Sequence, residues 1–261
     1  MKNQTKRFLS LLLCFCMVIG LVPVTALATT CEAGATSGAF VSETHNLFSS
    51  TSSVIAPGVT SSTNYAYSKA DGKQMVYYVA TADINRDDVE IHTSYIGAQI
   101  KEYGMDKLSN QMKAANEKYQ KENPYFQAVA GVNGDFYNMT TGQPTGAFYM
   151  DGEYLVNGCN NRPWFAIFED GTATCGKNTA EWNAAIAAHG KVLEAVGGSQ
   201  MLVVNGKDVT ASASGSYNTD RHSRSMVGVT ADNKVVIVTW DGRQEPFSCG
   251  GTMHELAQIM L

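Results

Sequence analysis

The sequence predicts an α+β fold, a single domain with a mainly antiparallel or mixed sheet and a few packed helices. Apolar runs of strand length come first, one amphipathic helix follows, and short apolar runs separated by Gly-centred turns then resume. No regular alternation of strand and helix runs through the chain, which argues against a parallel, doubly wound sheet.

The chain of 261 residues opens with Lys2, Lys6 and Arg7, an apolar run over 8–22, and Ala26-Leu27-Ala28. A basic start, a short apolar core and a small-x-small site read as a cleaved signal peptide over 1–28, and hence as a secreted or cell-envelope protein. Pro23 interrupts the apolar run and no stop-transfer charges follow, so no membrane span is expected after cleavage. Residues 29–63, rich in Ser, Thr, Ala and Gly, read as a low-complexity leader with at most short strands. Order is expected from about Tyr65, with the domain proper over 64–261.

Within it, 75–80 is a strand, Asn85-Arg86-Asp87-Asp88 a turn, and 89–93 an alternating second strand. Met105, Leu108, Met112, Ala115 and Tyr119 recur at helical spacing, and Pro124 closes that segment. The apolar run 126–132 fits a buried strand. A second helix is expected over 180–188, with Thr179 as cap and Gly190 past its end. Asp151-Gly152, Asp170-Gly171 and Asn205-Gly206 read as hairpin turns, and Ala231-Asp232-Asn233 joins a further strand pair. Thr252-Met253-His254-Glu255 is a capping-box pattern opening a last helix with Leu256, Ile259 and Met260 as its stripe. The chain stops at Leu261 inside that stripe, which reads as a C-terminal truncation.

The formal charge is −5, and losing Lys2, Lys6 and Arg7 with the signal makes it three units more negative. An acidic chain without a basic block argues against a nucleic-acid partner, yet a local pair of arginines suffices for an anionic substrate. Of six cysteines, Cys14 and Cys16 lie in the signal; Cys31, Cys159, Cys175 and Cys249 remain, and their three possible pairings stay open. No Cys/His spacing reads as a metal site, no Gly-x-Ser-x-Gly or phosphate loop occurs, and no organic cofactor is implied; a divalent ion stays compatible.

Three segments carry candidate chemistry. Gly131-Val132-Asn133-Gly134-Asp135-Phe136-Tyr137 runs from an apolar stretch into a Gly/Pro loop, which reads either as a plain Asn-Gly turn with a core aromatic pair or as a site where Asn133 and the Gly134 backbone face a ligand and Asp135 acts as a base or holds a hydroxyl. Arg221-His222-Ser223-Arg224-Ser225 is a compact cationic spot. Arg224 is the guanidinium placed to look into a cleft, whereas Arg221 and His222 read as a solvated loop. Asp241-Gly242-Arg243 ends a strand and offers a carboxylate and a second fork.

Together these segments resemble the phosphodiester glycosidase family. The matching stretches are 128–137, 142–151, 165–171, Val196-Gly197-Gly198 running into 201–207, Arg224-Ser225-Met226-Val227-Gly228, Asp241-Gly242-Arg243 and 251–257, in the family's order. The resemblance implies hydrolysis of a sugar-1-phosphodiester, with Asn133, Asp241 and Arg224 as catalytic residues and Arg243, Asp135 and Gly134 on the substrate or its phosphate. Asp135 stands where many relatives have glycine, and Ser225 replaces a threonine. The resemblance also implies an Asp-Gly-Gly-type loop with a further aspartate beyond Leu261, so the fragment is expected to be inactive and only marginally stable. The competing class is a non-catalytic glycan-binding or exopolysaccharide-associated envelope protein.

Overall fold

The computed structural model describes residues 42–261, so the signal peptide and the first part of the leader lie outside the described residues. The fold is α+β, and every strand pairing in it is antiparallel. The first sheet has five strands in the order β1-β2-β3-β12-β11, namely His45–Ala56, Val59–Ser68, Gln74–Asp83, Lys234–Trp240 and Arg224–Val229. The second also has five, β5-β4-β8-β6-β7, namely Glu153–Val156, Phe148–Met150, Val192–Gly197, Trp164–Phe168 and Ala173–Gly176. A small ribbon pairs β9 (Val203–Val204) with β10 (Lys207–Asp208). Helix α1 is Leu108–Tyr119, α2 Thr179–His189, α3 the single turn Ser216–Thr219, and α4 Met253–Met260.

Strand alternation builds the layers. In β6, Trp164, Ala166 and Phe168 face α2 and pack on its Trp182, while Phe165 and Ile167 face the first sheet and meet Val235, Val227 and Ile237. On the opposite face of the first sheet, Met75, Tyr77, Met226, Val238 and Trp240 pack against Met253 and Leu256 of α4. The order through the molecule is thus α4, first sheet, second sheet, α2.

Several expectations need correction. The serine- and threonine-rich stretch is not a leader throughout, because β1 and β2 form a long hairpin turning at Gly58 (φ 72°). Polar side-chain bonds are prominent there: Ser50 of β1 donates across to Asn64 of β2 (2.7 Å), and Asn64 donates along its own strand to Ser62 (2.9 Å). The segment 89–93 is not a strand; it crosses the molecule, with Val89 packed on Val59 and Ala82 while the Thr93 N–H donates to the Glu194 carboxylate at 2.8 Å. Nor is 126–132 a buried strand. The Ala128 N–H donates to the Asn116 side chain of α1, a Cβ on Gly131 would meet Met112 and Leu108, and Val129 is 36% exposed.

The cap of α2 is Asn178, which accepts from the Glu181 N–H, rather than Thr179. The capping box at Thr252 forms as read, with Glu255 reaching back to the Thr252 N–H at 3.0 Å. Its stripe is covered, since Leu256 is buried and Ile259 and Met260 lie against the same cluster. The three Gly hairpin turns join β4 to β5, β6 to β7 and β9 to β10. Cys159, Cys175 and Cys249 are free thiols, and among the described residues none is bridged. No helix among the described residues is long and apolar enough to cross a membrane.

Candidate functional site

β11 begins at Arg224 and β12 ends at Trp240, and the two residues are direct partners in the ladder. Arg224 and Asp241 therefore leave the same end of the first sheet. Gly242 makes this crossing possible, since a Cβ there would meet the Ser223 nitrogen at 2.4 Å and the His222 carbonyl carbon at 2.7 Å. Arg243 follows with a positive φ of 59°. Its Nε and Nη2 both donate to His222 Nδ1, at 3.1 and 2.6 Å, so this ring nitrogen acts as an acceptor. The His222 pKa is held below its ordinary value, first by desolvation and then by the positive charges of Arg243 and Arg224. His222 is thus an acceptor for the Arg243 guanidinium.

Arg224 donates to the Tyr217 carbonyl at 2.9 Å, and its guanidinium lies 4.7 Å from the Tyr217 ring centroid, a cation–π contact. Its Nε has no hydrogen-bond partner among the described residues. Asp241 is pinned through its backbone: its N–H donates to the Val76 carbonyl, and its own carbonyl accepts from Ser248. Its carboxylate accepts from the Tyr78 hydroxyl at 3.1 Å. Desolvation, and after it the Asp241 charge, raises the Tyr78 pKa, so that phenol stays a donor.

The loop carrying Asn133 reaches this group through an aromatic contact. Asn133 itself is exposed. Three residues on, the Phe136 ring lies 6.4 Å from the ring of Tyr217, on which Arg224 stacks. The Tyr217 hydroxyl is hydrogen-bonded to Ser199.

Asp135 does not serve as read. The Asp135 side chain is only 3% exposed, and its oxygens take the Phe136 N–H (2.7 Å), the Gly146 N–H (2.6 Å) and Arg162 Nη2 (2.9 Å). It braces the loop and, buried among these three donors, turns inward rather than to solvent. Gly134 is there for space, because a Cβ would come within 2.6 Å of Val196 Cγ2. Arg221 is no solvated loop residue either. It forms a two-pronged pair with buried Glu255, at 2.7 and 2.8 Å, and donates to Ser68 at 2.7 Å. Sequence reasoning missed Arg162, Tyr217, Ser199 and Tyr78; only Arg162, a cation just before a strand, left any signal. The cavity beside the Asn133 loop, about 430 Å³, is lined in part by Tyr137, Asn138, Pro144 and Asn160, and Arg224 and Arg243 are not in its wall.

Fold and site define a class: an α+β protein that gathers arginines at the shared end of two antiparallel strands, beside a Gly/Pro loop. A family model described as phosphodiester glycosidase matches residues 126–261, more than half of the sequence, and the chain belongs to that family. The fold is similar to that of the zebrafish N-acetylglucosamine-1-phosphodiester alpha-N-acetylglucosaminidase catalytic domain auto-inhibited by pro-peptide. The TM-score is 0.58 and the identity 15%, with 83% of this chain and 71% of that one covered. It is also similar to a hypothetical protein from Synechocystis, with a TM-score of 0.54 and 14% identity, over 78% of this chain and 54% of that one. At such identities the likeness is one of fold. No curated protein sequence matches the chain at a significant level.

Proposed function

We propose that this protein hydrolyses a sugar-1-phosphodiester in extracellular or cell-envelope glycans. The observation that carries the reading is the grouping of Arg224, Arg243 and His222 beside Asp241 at one sheet end. In this linkage the leaving group is a phosphate monoester, already stable as an anion, so the need for a strong general acid is lower than in ordinary glycosidases. The chemistry calls instead for cations on the leaving phosphate. In this reading Arg224 and Arg243 hold the phosphate, and Asn133 orients sugar or phosphate. Asp241 takes the proton of a water that attacks the anomeric carbon as the C1–O bond breaks. The products are the free sugar and the phosphate monoester.

The test is turnover of a panel of sugar-1-phosphodiesters, with binding followed in parallel by calorimetry. Arg224→Ala is expected to lower kcat/KM by about 10²–10³-fold, as loss of a preorganised charge does, and Arg224→Lys to recover only part of it. One observation favours a second reading, glycan binding without cleavage: Asp135 is buried and held by three internal donors, leaving Asp241 as the carboxylate of the group. Saturable binding without turnover would select that reading. Neither binding nor turnover of any panel member would overturn both.

A further inference from the structure

Away from this site, His92, Asp151 and Glu194 converge from three separate stretches of chain: the segment before the 3₁₀ turn Ile96–Ala98, the β4–β5 turn, and the middle of β8. One ligand atom from each lies within 4.8 Å of the other two. The orientation of the imidazole decides what the group is for. Its Nε2 lies 2.8 Å from Glu90 Oε2, an N–H···O contact that puts the ring proton on Nε2. The other ring nitrogen, Nδ1, lies 3.5 Å from Asp151 Oδ1 and 3.4 Å from Glu194 Oε1. This atom is buried and has no hydrogen-bond partner among the described residues. Glu194 Oε1 accepts from the Asp151 N–H at 3.1 Å, yet two carboxylate oxygens beside one ring nitrogen still call for a positive partner, a proton on Nδ1 or a metal ion.

A proton and a metal ion predict different distances. A proton on Nδ1 would draw one carboxylate in to about 2.7–2.9 Å, as charge-assisted bonds do, and neither carboxylate is that close. A tetrahedral ion with bonds of about 2.0–2.1 Å holds its ligands about 3.4 Å apart along each edge. The two separations from Nδ1 match that edge, and the two carboxylate oxygens lie within 4.8 Å of each other.

The outer contacts also fit. Glu90 on Nε2 completes a carboxylate–histidine pair of the kind that orients a metal-bound imidazole. Glu194, whose side chain is 5% exposed, is fixed on its other oxygen by the Thr93 hydroxyl (2.6 Å) and N–H (2.8 Å), while Oε1 accepts from the Asp151 N–H (3.1 Å) and keeps a second lone pair for the group. Asp151 is held on Oδ2 by Lys118, which leaves Oδ1 as its inward oxygen, while the Tyr119 hydroxyl lies near both oxygens. Counting Glu90, Asp151 and Glu194 against Lys118, the cluster with a neutral imidazole carries a formal excess of two negative charges, which one divalent ion balances.

We propose that His92 Nδ1, Asp151 Oδ1 and Glu194 Oε1 bind a divalent transition-metal ion, of which Zn²⁺ is the representative because one imidazole and two carboxylates suit it. The ion pins the segment after β3, the β4–β5 turn and β8 to one point. The experiment strips the protein with EDTA, removes the chelator and titrates Zn²⁺ by calorimetry. Co²⁺ absorption reports ligation independently of heat, and thermal unfolding with and without Zn²⁺ reads the coupling to the fold. One equivalent per chain, a tetrahedral Co²⁺ spectrum and a raised Tm are expected. His92→Ala should abolish the spectrum, and Glu90→Gln, at an exposed position that leaves the core intact, should weaken binding by about 10–100-fold. No uptake by the stripped wild type, or unchanged Co²⁺ ligation in folded His92→Ala, would overturn the proposal.

Discussion

Asp135 shows how a side chain with the right chemistry can be spent elsewhere. Its carboxylate sits between Gly146 and Gly197, where no Cβ would fit, and it meets two backbone donors and Arg162. Removing one partner of such a pair leaves a guanidinium with a desolvation cost, typically about 3–5 kcal/mol for a buried pair. Arg162 keeps 27% of its side chain exposed, so Asp135→Ala is expected to cost less, about 2–3 kcal/mol, in urea unfolding. A substrate-binding Asp135 would instead show unchanged stability and a raised KM. His45 gives a second test. It is buried, and its pKa is held below the ordinary value first by desolvation, with Lys69 adding to this and Glu255 opposing it. A histidine with a depressed folded pKa binds its proton more tightly in the unfolded chain. Stability is then fully present above the unfolded value, about 6.5, and is lost as pH falls through the folded one. The urea midpoint should drop between about pH 7.5 and about pH 5, and His45→Gln should flatten that drop. An equally steep profile in the variant would assign the loss to other groups.

Among the elements, those with short-range signals were the legible ones. The capping box at Thr252, the Gly hairpin turns and the period of α1 are each encoded within a few residues, and each forms. Segments whose partners lie far away in sequence were not. The stretch 89–93 alternates like a strand, yet Thr93 takes a carboxylate from β8; 126–132 is apolar because it lies along α1. The hairpin of β1 and β2 was hidden because its side chains are mostly small and polar, with Ser50 bonded across to Asn64 and Asn64 along its own strand to Ser62. The candidate site was legible in part for the same reason. Arg224, Asp241 and Arg243 flank one strand pair, whereas Tyr217 and Tyr78 come from elsewhere. Helix α4 carries its own prediction, because Glu255 serves both the capping box and the clamp on Arg221. Arg221→Ala would leave that carboxylate buried, and a loss of about 3 kcal/mol is expected in urea unfolding. Thr252→Ala removes only the cap and should cost about 1 kcal/mol. Equal losses for the two variants would show that the clamp adds nothing to the cap.

At the scale of the whole molecule, the two sheets share one interface, so they should unfold together. Phe165 and Ala173 of the second sheet bury against Val235 of the first, with Val227, Ile237 and Val196 completing the contact. Neither sheet covers that face alone, and exposing it in a half-unfolded state would forfeit about 25 cal/mol for every Å² of apolar surface uncovered. The three tryptophans make this testable, because they divide between the outer cores: Trp240 lies under α4, and Trp164 and Trp182 lie under α2. In Trp240→Phe the fluorescence reports the second sheet and its helix; in the double variant Trp164→Phe, Trp182→Phe it reports the first. Urea transitions from the two proteins should each coincide with far-UV circular dichroism of the same protein, the signature of a single cooperative unit. Phe165→Ala, which opens a cavity in the shared layer, should then shift both fluorescence reporters by the same free energy, about 3–5 kcal/mol. A shift confined to the Trp164 and Trp182 signal, or transitions that part from the circular dichroism, would mean that each sheet is held by its own helix and that the layer between them couples nothing.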